Sequence, residues 1–258
     1  MSSNPRLKLP AYVEACLFDL DGVLTNTATI HAQAWKQTFD AFLCARALRN
    51  GADFVEFDPV DDYDRYVDGK ERLDGIRSFL ASRGIAVPEG TRDDPAEAET
   101  IHGLGNGKNE LVLAVLDHDG VEVFEGSARF VRAVRDAGLR RAVVTASANC
   151  SEVLEKAGIA ELVEVRVDGI VAEQEHLRGK PAPDMYLAAA ARLAVEPGRA
   201  AVFEDALAGV AAARAGEFGV IVGVDRSGQA EALRSGGADV IVSDLGELLN
   251  DRAPELRG

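Results

Sequence analysis

Residues 13–25 of the chain read VEACLFDLDGVLT, and the interpretation of the whole sequence starts from this stretch. Its first six residues form a mostly apolar run, which is typical of a buried strand. The loop after that strand carries two carboxylates, Asp19 and Asp21. In such a loop they occupy nearby but distinct positions, so one can attack phosphorus and form an aspartyl-phosphate while the other gives or takes a proton. By itself the pattern is also that of an Asx-turn that ends a strand.

The sequence after Gly120 alternates between helical and strand patterns. Because such alternation, with short glycine-bearing turns, builds a parallel sheet covered by helices, it predicts a Rossmann-like, doubly wound α/β core whose first strand lies before residue 20. The strand patterns are RAVVTAS, a weak one near 162–167, AAVFED, GVIVGV and DVIVSD, each preceded by a helical pattern and the last followed by a closing helix.

Residues 28–118 interrupt the α/β pattern and predict an inserted, all-helical cap domain, which leaves 1–27 and 119–258 as the core. Helical patterns occur from 27 to about 48, at 71–84 and at 108–116. An insertion at the C-terminal edge of a parallel sheet lies over the place where such sheets bind ligands. We therefore expect the cap to take part in ligand binding.

The composition limits the class of protein. The 258 residues are 47% apolar and carry a formal net charge of −15, and a surface this acidic repels phosphate backbones, so no nucleic-acid partner is expected. Three cysteines without CxxC spacing predict neither a disulfide framework nor a zinc site and fit a reducing cytoplasm. The N-terminus lacks an apolar signal core, and no apolar run approaches the length of a membrane span. We expect a cytoplasmic protein without a membrane partner, and a monomer is compatible with the sequence.

Three further motifs lie at the ends of predicted strands or the starts of predicted helices. In VVTAS, the Thr145 hydroxyl and nearby backbone N–H groups can hold phosphate oxygens. In GKPAPD, Lys180 can neutralise both a nucleophile and a phosphoryl group. Each motif also has an ordinary alternative, because Thr145 can simply end a strand and Lys180 can be a solvated loop lysine.

The third motif, FEDALAG, supplies an acidic pair, Glu204 and Asp205. Together with Asp19 and the backbone carbonyl of Asp21, this pair makes an oxygen-rich site suited to Mg²⁺. The ordinary alternative for the pair is a helix N-cap.

In this order, the four motifs resemble the haloacid dehalogenase-like superfamily over essentially the whole chain. The stretch DLDGVLTNTATIHAQAWK (19–36), with KPAPD and EDALAG, resembles more closely its beta-phosphoglucomutase family. That resemblance implies that His31 acts near the acid/base residue, as one of a catalytic set with Asp19, Asp21, Thr145 and Lys180. It also implies a set of substrate-binding residues, namely Trp35, Arg72, Lys108, Ala146, Ser147 and Asn149.

Some of these residues have competing interpretations. His31 can be a structural histidine, Trp35 fits the cap core better than a substrate platform, and Arg72 can form a surface ion pair with a neighbouring acidic residue of VDGKERLDG (67–75). Two positions depart from the family: Ala148 stands where it places a lysine for the distal phosphate, and Asn26 where it usually has aspartate at the hinge.

The resemblance implies a Mg²⁺-dependent phosphomutase that converts a small sugar phosphate, most specifically beta-glucose 1-phosphate to glucose 6-phosphate, through an aspartyl-phosphate. Two alternatives use the same core: a phosphatase of a small phosphorylated metabolite, which Ala148 favours, and a non-enzymatic phosphoacceptor or binding module.

Overall fold

The computed structural model describes residues 6–250, whose strands form one six-stranded parallel sheet in the order β3-β2-β1-β4-β5-β6. This arrangement confirms the predicted doubly wound α/β fold. Its strands are β1 (Ala15–Phe18), β2 (Arg140–Val144), β3 (Val165–Val167), β4 (Ala200–Glu204), β5 (Val220–Val224) and β6 (Val240–Val242).

The chain divides into two compact units. The second unit, Thr27–Val121, interrupts the first, which contains the described residues up to Asn26 and those from Glu122 onward. The helices of the second unit are α1 (Thr27–Asn50), α2 (Arg72–Ser82) and α3 (Ile101–Asp119), with one turn of π-helix at Tyr63–Val67.

An aromatic cluster forms the interior of the second unit. Phe39 lies at its centre, with its ring centroid 4.2 Å from that of Phe79 and 5.2 Å from that of Phe57. All three rings are fully buried, so helices α1 and α2 are held together mainly by apolar burial. Although α1 has 24 residues, no helix within residues 6–250 is long and apolar enough to cross a membrane.

Within residues 6–250, six α-helices flank the sheet of the first unit. They are α4 (Glu125–Asp136), α5 (Cys150–Lys156), α6 (Gly169–Gln174), α7 (Asp184–Leu193), α8 (Leu207–Ala215) and α9 (Ala230–Gly236).

A stacked aromatic pair lies immediately before two acidic residues of the central strands. Phe18 of β1 and Phe203 of β4 are in register, and their ring centroids are 4.7 Å apart with an interplanar angle of 18°. Both rings also contact the ring of Phe130 on α4. Because Asp19 and Glu204 follow these two rings directly in the chain, the packing fixes where both carboxylates leave the sheet.

Several predicted elements differ from those of the structure. The strand expected near 162–167 is limited to Val165–Val167, after a 3-10 turn at Ala160–Leu162, and the closing helix is a single 3-10 turn at Leu245–Leu248. Helix α6 was not predicted; it is only six residues long.

Helix α3 begins seven residues before the predicted start at residue 108, and its glycines explain the error. A Cβ at Gly103 would lie 2.3 Å from the carbonyl oxygen of Ala98, and one at Gly105 would lie 2.9 Å from Leu73 Cδ2. Because glycine has a low helix propensity, the sequence pattern disfavours a helix at these positions. The structure nevertheless forms the helix there, and its close packing leaves room only for glycine.

Paired segments join the two parts of the first unit where the chain leaves and re-enters it. The backbone N–H of Asn26 donates to the carbonyl of Glu122 (2.9 Å), and that of Phe124 donates to the carbonyl of Leu24 (3.0 Å). The side-chain amide of Asn26 also donates to Glu122 Oε2 at 2.8 Å. An aspartate at position 26 has no such donor and could not form this hydrogen bond. The asparagine at this position, which departs from the family pattern, is therefore complementary to Glu122.

Candidate active site

Three predicted motifs meet at the C-terminal edge of the central strands. Asp19 follows β1, Thr145 follows β2, and Glu204 is the last residue of β4. Because β1 lies between β2 and β4, the three side chains emerge side by side. The backbone N–H of Asp19 donates to the carbonyl of Phe203 at 2.9 Å, which continues the sheet pairing into the loop.

Lys180 lies at the centre of this group. Its Nζ donates to Asp19 Oδ1 and to Glu204 Oε1, both at 2.5 Å, and to the carbonyl of Val144 at 3.2 Å. The side chain has no solvent exposure, so Lys180 is not a solvated loop lysine. Burial alone would lower the pKa of Lys180, but the charges of Asp19 and Glu204 raise it above its ordinary value. The ammonium group therefore remains charged beside both carboxylates.

Sequence reasoning missed one member of this group, Tyr186 on α7. Its hydroxyl donates to Glu204 Oε1 at 2.6 Å, and its ring centroid lies 5.1 Å from Lys180 Nζ. Burial, with the nearby charge of Glu204, raises the pKa of Tyr186, so the hydroxyl stays protonated and donates. The sequence offers one signal for Tyr186: it is an aromatic side chain with a polar end, on the buried face of the helix that follows Lys180.

The acidic residues form a compact, buried cluster. Asp19, Glu204 and Asp205 each offer a carboxylate oxygen, and these oxygens lie within 4.8 Å of one another. Burial raises the pKa of Asp19 well above its ordinary value; Lys180 opposes this, and the charges of Glu204 and Asp21 add to it. Several carboxylates thus share a buried space with one ammonium group, an excess of negative charge that suits a hard cation.

Two glycines allow the carboxylates to lie close to the backbone. A Cβ on Gly22 would come within 1.7 Å of Asp205 Oδ2, and a Cβ on Gly209 would come within 1.7 Å of Glu204 Oε1. Gly22 also has φ = +88°, a conformation that favours glycine. The glycines of DLDG and DALAG therefore give room to the acidic pair.

Asp21 is linked to the loop that follows β2. Thr145 Oγ1 donates to Asp21 Oδ2 at 3.2 Å and accepts from the backbone N–H of Ser147 at 3.1 Å. Further along, the backbone N–H of Asn149 donates to Ser147 Oγ at 3.2 Å. Ala146 packs closely as well, since a Cβ on Gly169 would lie 2.7 Å from its carbonyl oxygen. The structure thus brings the predicted Thr145 loop next to the proposed proton-transfer residue.

Three predicted residues of the second unit form their own cluster. Lys108 Nζ lies 2.5 Å from His31 Nδ1 and 4.9 Å from the centroid of the Trp35 ring. This distance is that of a hydrogen bond between the two side chains. Trp35 is buried and stacked on Phe39 with centroids 5.1 Å apart, so its ring belongs to the aromatic interior of this unit.

Arg72, the first residue of α2, forms no ion pair with any residue in the described range 6–250. Its Nε is buried without a hydrogen-bond partner there, and burial lowers its pKa despite the nearby charge of Glu71. The carboxylate of Glu71 instead caps α2 by accepting from the backbone N–H groups of Leu73 and Asp74. Asp74 in turn pairs with Arg77 at 2.6 Å. The surface ion pair considered for Arg72 thus has no support from Glu71 or Asp74.

Comparison with known proteins identifies the family. A family model described as haloacid dehalogenase-like hydrolase matches residues 13–216. Beta-phosphoglucomutases of Mycobacterium bovis and Mycobacterium tuberculosis are each 57% identical over 246 residues, which covers 94% of this chain and 94% of each relative. An uncharacterized glycosyl hydrolase of Mycobacterium tuberculosis is 37% identical over 91% of this chain, and the match covers only 17% of that longer protein.

A solved structure agrees with the fold. CbbY from Rhodobacter sphaeroides, in complex with xylulose-(1,5)-bisphosphate, superposes with a TM-score of 0.67 at 25% identity and covers 92% of this chain and 96% of that one. The chain is thus an enzyme of the phosphotransferase or isomerase type. It belongs to the haloacid dehalogenase-like hydrolases and, among them, to the beta-phosphoglucomutase-like family. A non-enzymatic phosphoacceptor is therefore no longer a candidate.

Proposed function

We propose that the chain is a Mg²⁺-dependent phosphomutase of a small sugar phosphate, and that its specific reaction converts beta-glucose 1-phosphate to glucose 6-phosphate. The observation that carries this proposal is the buried contact of Lys180 with Asp19 and Glu204 at 2.5 Å, at the edge of the sheet. It provides a carboxylate nucleophile beside a fixed positive charge. The two mycobacterial relatives named beta-phosphoglucomutase guide the choice of substrate.

In the proposed reaction, Asp19 carries the phosphoryl group. A carboxylate oxygen of Asp19 forms a bond to phosphorus while the bond from phosphorus to the sugar oxygen breaks. Asp21 gives its proton to the departing oxygen. In the return step a sugar hydroxyl oxygen bonds to phosphorus while the bond from phosphorus to Asp19 breaks, and Asp21 takes the proton of that hydroxyl. Lys180, the Thr145 hydroxyl and the backbone N–H groups of the following loop balance the charge on the transferring group.

The buried acidic cluster fits a divalent cation, and we assign it Mg²⁺. The ligands would be the carboxylates of Asp19, Glu204 and Asp205 and the backbone carbonyl of Asp21, which are the hard oxygen donors this ion prefers. When bound, Mg²⁺ supplies positive charge that offsets the negative charge of phosphate and nucleophile.

A mutase must also hold the phosphate that is not reacting. We assign phosphate binding to Arg72, distal phosphate contacts to Ser147 and Asn149, substrate contacts to Lys108 and a supporting role near the acid/base residue to His31. The buried, unpartnered Nε of Arg72 supports the assignment, because a guanidinium group binds phosphate through paired N–H donors.

A phosphatase remains the second candidate, since water can replace the sugar hydroxyl as the phosphoryl acceptor. Ala148 favours it, because the lysine that would help to hold the distal phosphate is absent. The family description, hydrolase, is consistent with it as well.

One assay separates the two candidates. The protein is incubated with Mg²⁺ and beta-glucose 1-phosphate, with a trace of glucose 1,6-bisphosphate to load Asp19, and glucose 6-phosphate and free phosphate are measured separately. We expect glucose 6-phosphate to accumulate well ahead of free phosphate. Free phosphate released as fast as substrate disappears would overturn the mutase and favour the phosphatase.

A further inference from the structure

The loop after β5, residues 225–229, contacts both acidic loops of the site from outside the four motifs. Arg226 Nε donates to the carbonyl oxygen of Gly22 at 2.9 Å, and Gln229 Nε2 donates to the carbonyl oxygen of Asp205 at 3.4 Å. The loop is itself fixed, because Asp225 Oδ1 accepts from the backbone N–H of Gln229 at 2.8 Å. One segment thus braces the DLDG loop and the acidic pair together.

The guanidinium group of Arg226 is held on several sides. Its Cζ lies 3.6 Å from the ring centroid of Phe124, and its Nη1 donates to the carbonyl of Ser243 at 2.7 Å. An ion pair with Asp244 at 3.6 Å adds to these contacts. Stacking on an aromatic face uses the planar shape of the guanidinium group, which the ammonium group of lysine does not reproduce.

The bond from Arg226 ends on the residue whose backbone sets the geometry of the loop. Gly22 has φ = +88°, its N–H donates to the carbonyl of Thr25 at 2.8 Å, and its Cα packs against the Asp205 carboxylate. Asp21 precedes it directly. A shift of Gly22 would therefore move the proposed proton donor and a proposed metal ligand at the same time.

We propose that Arg226 is a positioning residue of this site: its guanidinium group, stacked on the Phe124 ring, donates to the carbonyl of Gly22 and thereby holds Asp21 in place for proton transfer. The inference rests on the proposed roles of Asp19 and Asp21. It predicts a specific defect: a variant that lacks this brace transfers phosphoryl groups to Asp19 normally when the leaving group needs no proton, and slowly when it does.

The test compares two esters of similar shape, p-nitrophenyl phosphate and phenyl phosphate, in the presence of Mg²⁺. Only the first transfer to Asp19 is followed, as the burst of released alcohol after rapid mixing, so later hydrolysis does not enter. The p-nitrophenolate ion leaves unaided, whereas phenolate benefits from a proton. The ratio of the two burst rates is measured within each variant, so a partly inactive preparation does not change it.

Asp21→Asn serves as the reference and should raise that ratio strongly. We expect Arg226→Met to raise the ratio roughly 10- to 100-fold, the scale of a displaced proton-transfer group. Arg226→Lys keeps a charged N–H donor but loses the planar group that stacks on the Phe124 ring, so it should give an intermediate ratio. This variant provides the test if Arg226→Met does not fold. The matched control is Arg234→Met on α9, where the wild-type arginine is 59% exposed and pairs with Glu231; its ratio should equal that of the wild type.

The outcomes are distinguishable. If Asp21→Asn raises the ratio and the Arg226 variants do not, Arg226 has no positioning role and the proposed function stands. If Asp21→Asn itself leaves the ratio unchanged, the proposed role of Asp21 is wrong, and this inference fails with it.

Discussion

Arg72 is the side chain that best separates the two candidate functions. Arg72→Ala should suppress isomerisation of a sugar phosphate far more than hydrolysis of a small phosphate ester, because the ester has no second phosphate to lose. The expected loss corresponds to roughly 2–5 kcal/mol, and Arg72→Lys should recover only part of it because lysine lacks the guanidinium fork. Steady-state kinetics on both substrates provide the measurement.

The same helix supplies the control for Arg72. Arg77 lies five residues further along α2 and pairs at the surface with Asp74 and Glu89, so Arg77→Ala should leave both reactions within about twofold of wild type. Equal, small losses for Arg72→Ala on both substrates would remove Arg72 from the site and shift the preference to the phosphatase.

Tyr186 contributes a hydrogen bond that no motif predicts. Tyr186→Phe removes the hydroxyl that donates to Glu204, and since hydrogen bonds to charged groups are worth roughly 1.5–3 kcal/mol, the free energy of unfolding should fall by about that amount. Denaturant titration measures the change. Tyr12→Phe is the control, because the Tyr12 hydroxyl donates to the carbonyl of Gly219 on a residue that is 44% exposed. Similar values for the two variants would show that the bond to Glu204 has no special strength.

Among the helices, α8 carries a glycine whose replacement has opposite effects on propensity and packing. Alanine is favoured over glycine in a helix by about 1 kcal/mol, but at position 209 its Cβ would lie 1.7 Å from Glu204 Oε1. We expect the steric clash to cost more free energy than the higher helix propensity of alanine contributes. Gly209→Ala should therefore lower both the free energy of unfolding and the affinity for Mg²⁺. Thermal unfolding with and without Mg²⁺ tests this.

Helix α9 provides the matched substitution. A Cβ at Gly236 would meet nothing closer than 3.6 Å, so Gly236→Ala should be neutral or slightly stabilising. A Gly209→Ala protein as stable and as Mg²⁺-responsive as the Gly236→Ala protein would show that Glu204 can move without cost.

The strand-end motifs explain how much of the structure the sequence could predict. The apolar runs at DLDG, VVTAS and FEDALAG predicted the central strands. They also predicted that Asp19, Thr145 and Glu204 are neighbours, because parallel strands present their C-terminal ends at one edge of the sheet. The sequence predicted no role for Tyr186 or Arg226, because their importance comes from tertiary contacts. Tyr186 lies in a segment with the pattern of an apolar core helix, and Arg226 lies in a loop without a motif. The predicted start of α3 was wrong because close packing at Gly103 and Gly105 outweighs the low helix propensity of glycine.

Considered as a whole, the chain combines a net charge of −15 with a buried cluster of carboxylates, so a bound cation should affect both activity and stability. We expect EDTA to stop turnover and Mg²⁺ to restore it. Because a ligand that binds only the folded state stabilises it, Mg²⁺ should also raise the unfolding temperature. The shift should be smaller in Asp205→Asn, whereas Asp117→Asn, on exposed α3 surface, should respond as the wild type does. Turnover unaffected by chelation would refute the metal assignment.

The central claim is that Asp19 carries the phosphoryl group, and the most direct measurement is to trap it there. The protein is mixed with Mg²⁺ and substrate, quenched in acid within the first turnover and digested, and the peptides are weighed by mass spectrometry. We predict that the mass of one phosphoryl group is added to the peptide that contains Asp19, and that Asp19→Asn shows neither this adduct nor turnover. A phosphoryl group on another residue, or turnover by Asp19→Asn free of wild-type protein, would contradict the proposed mechanism.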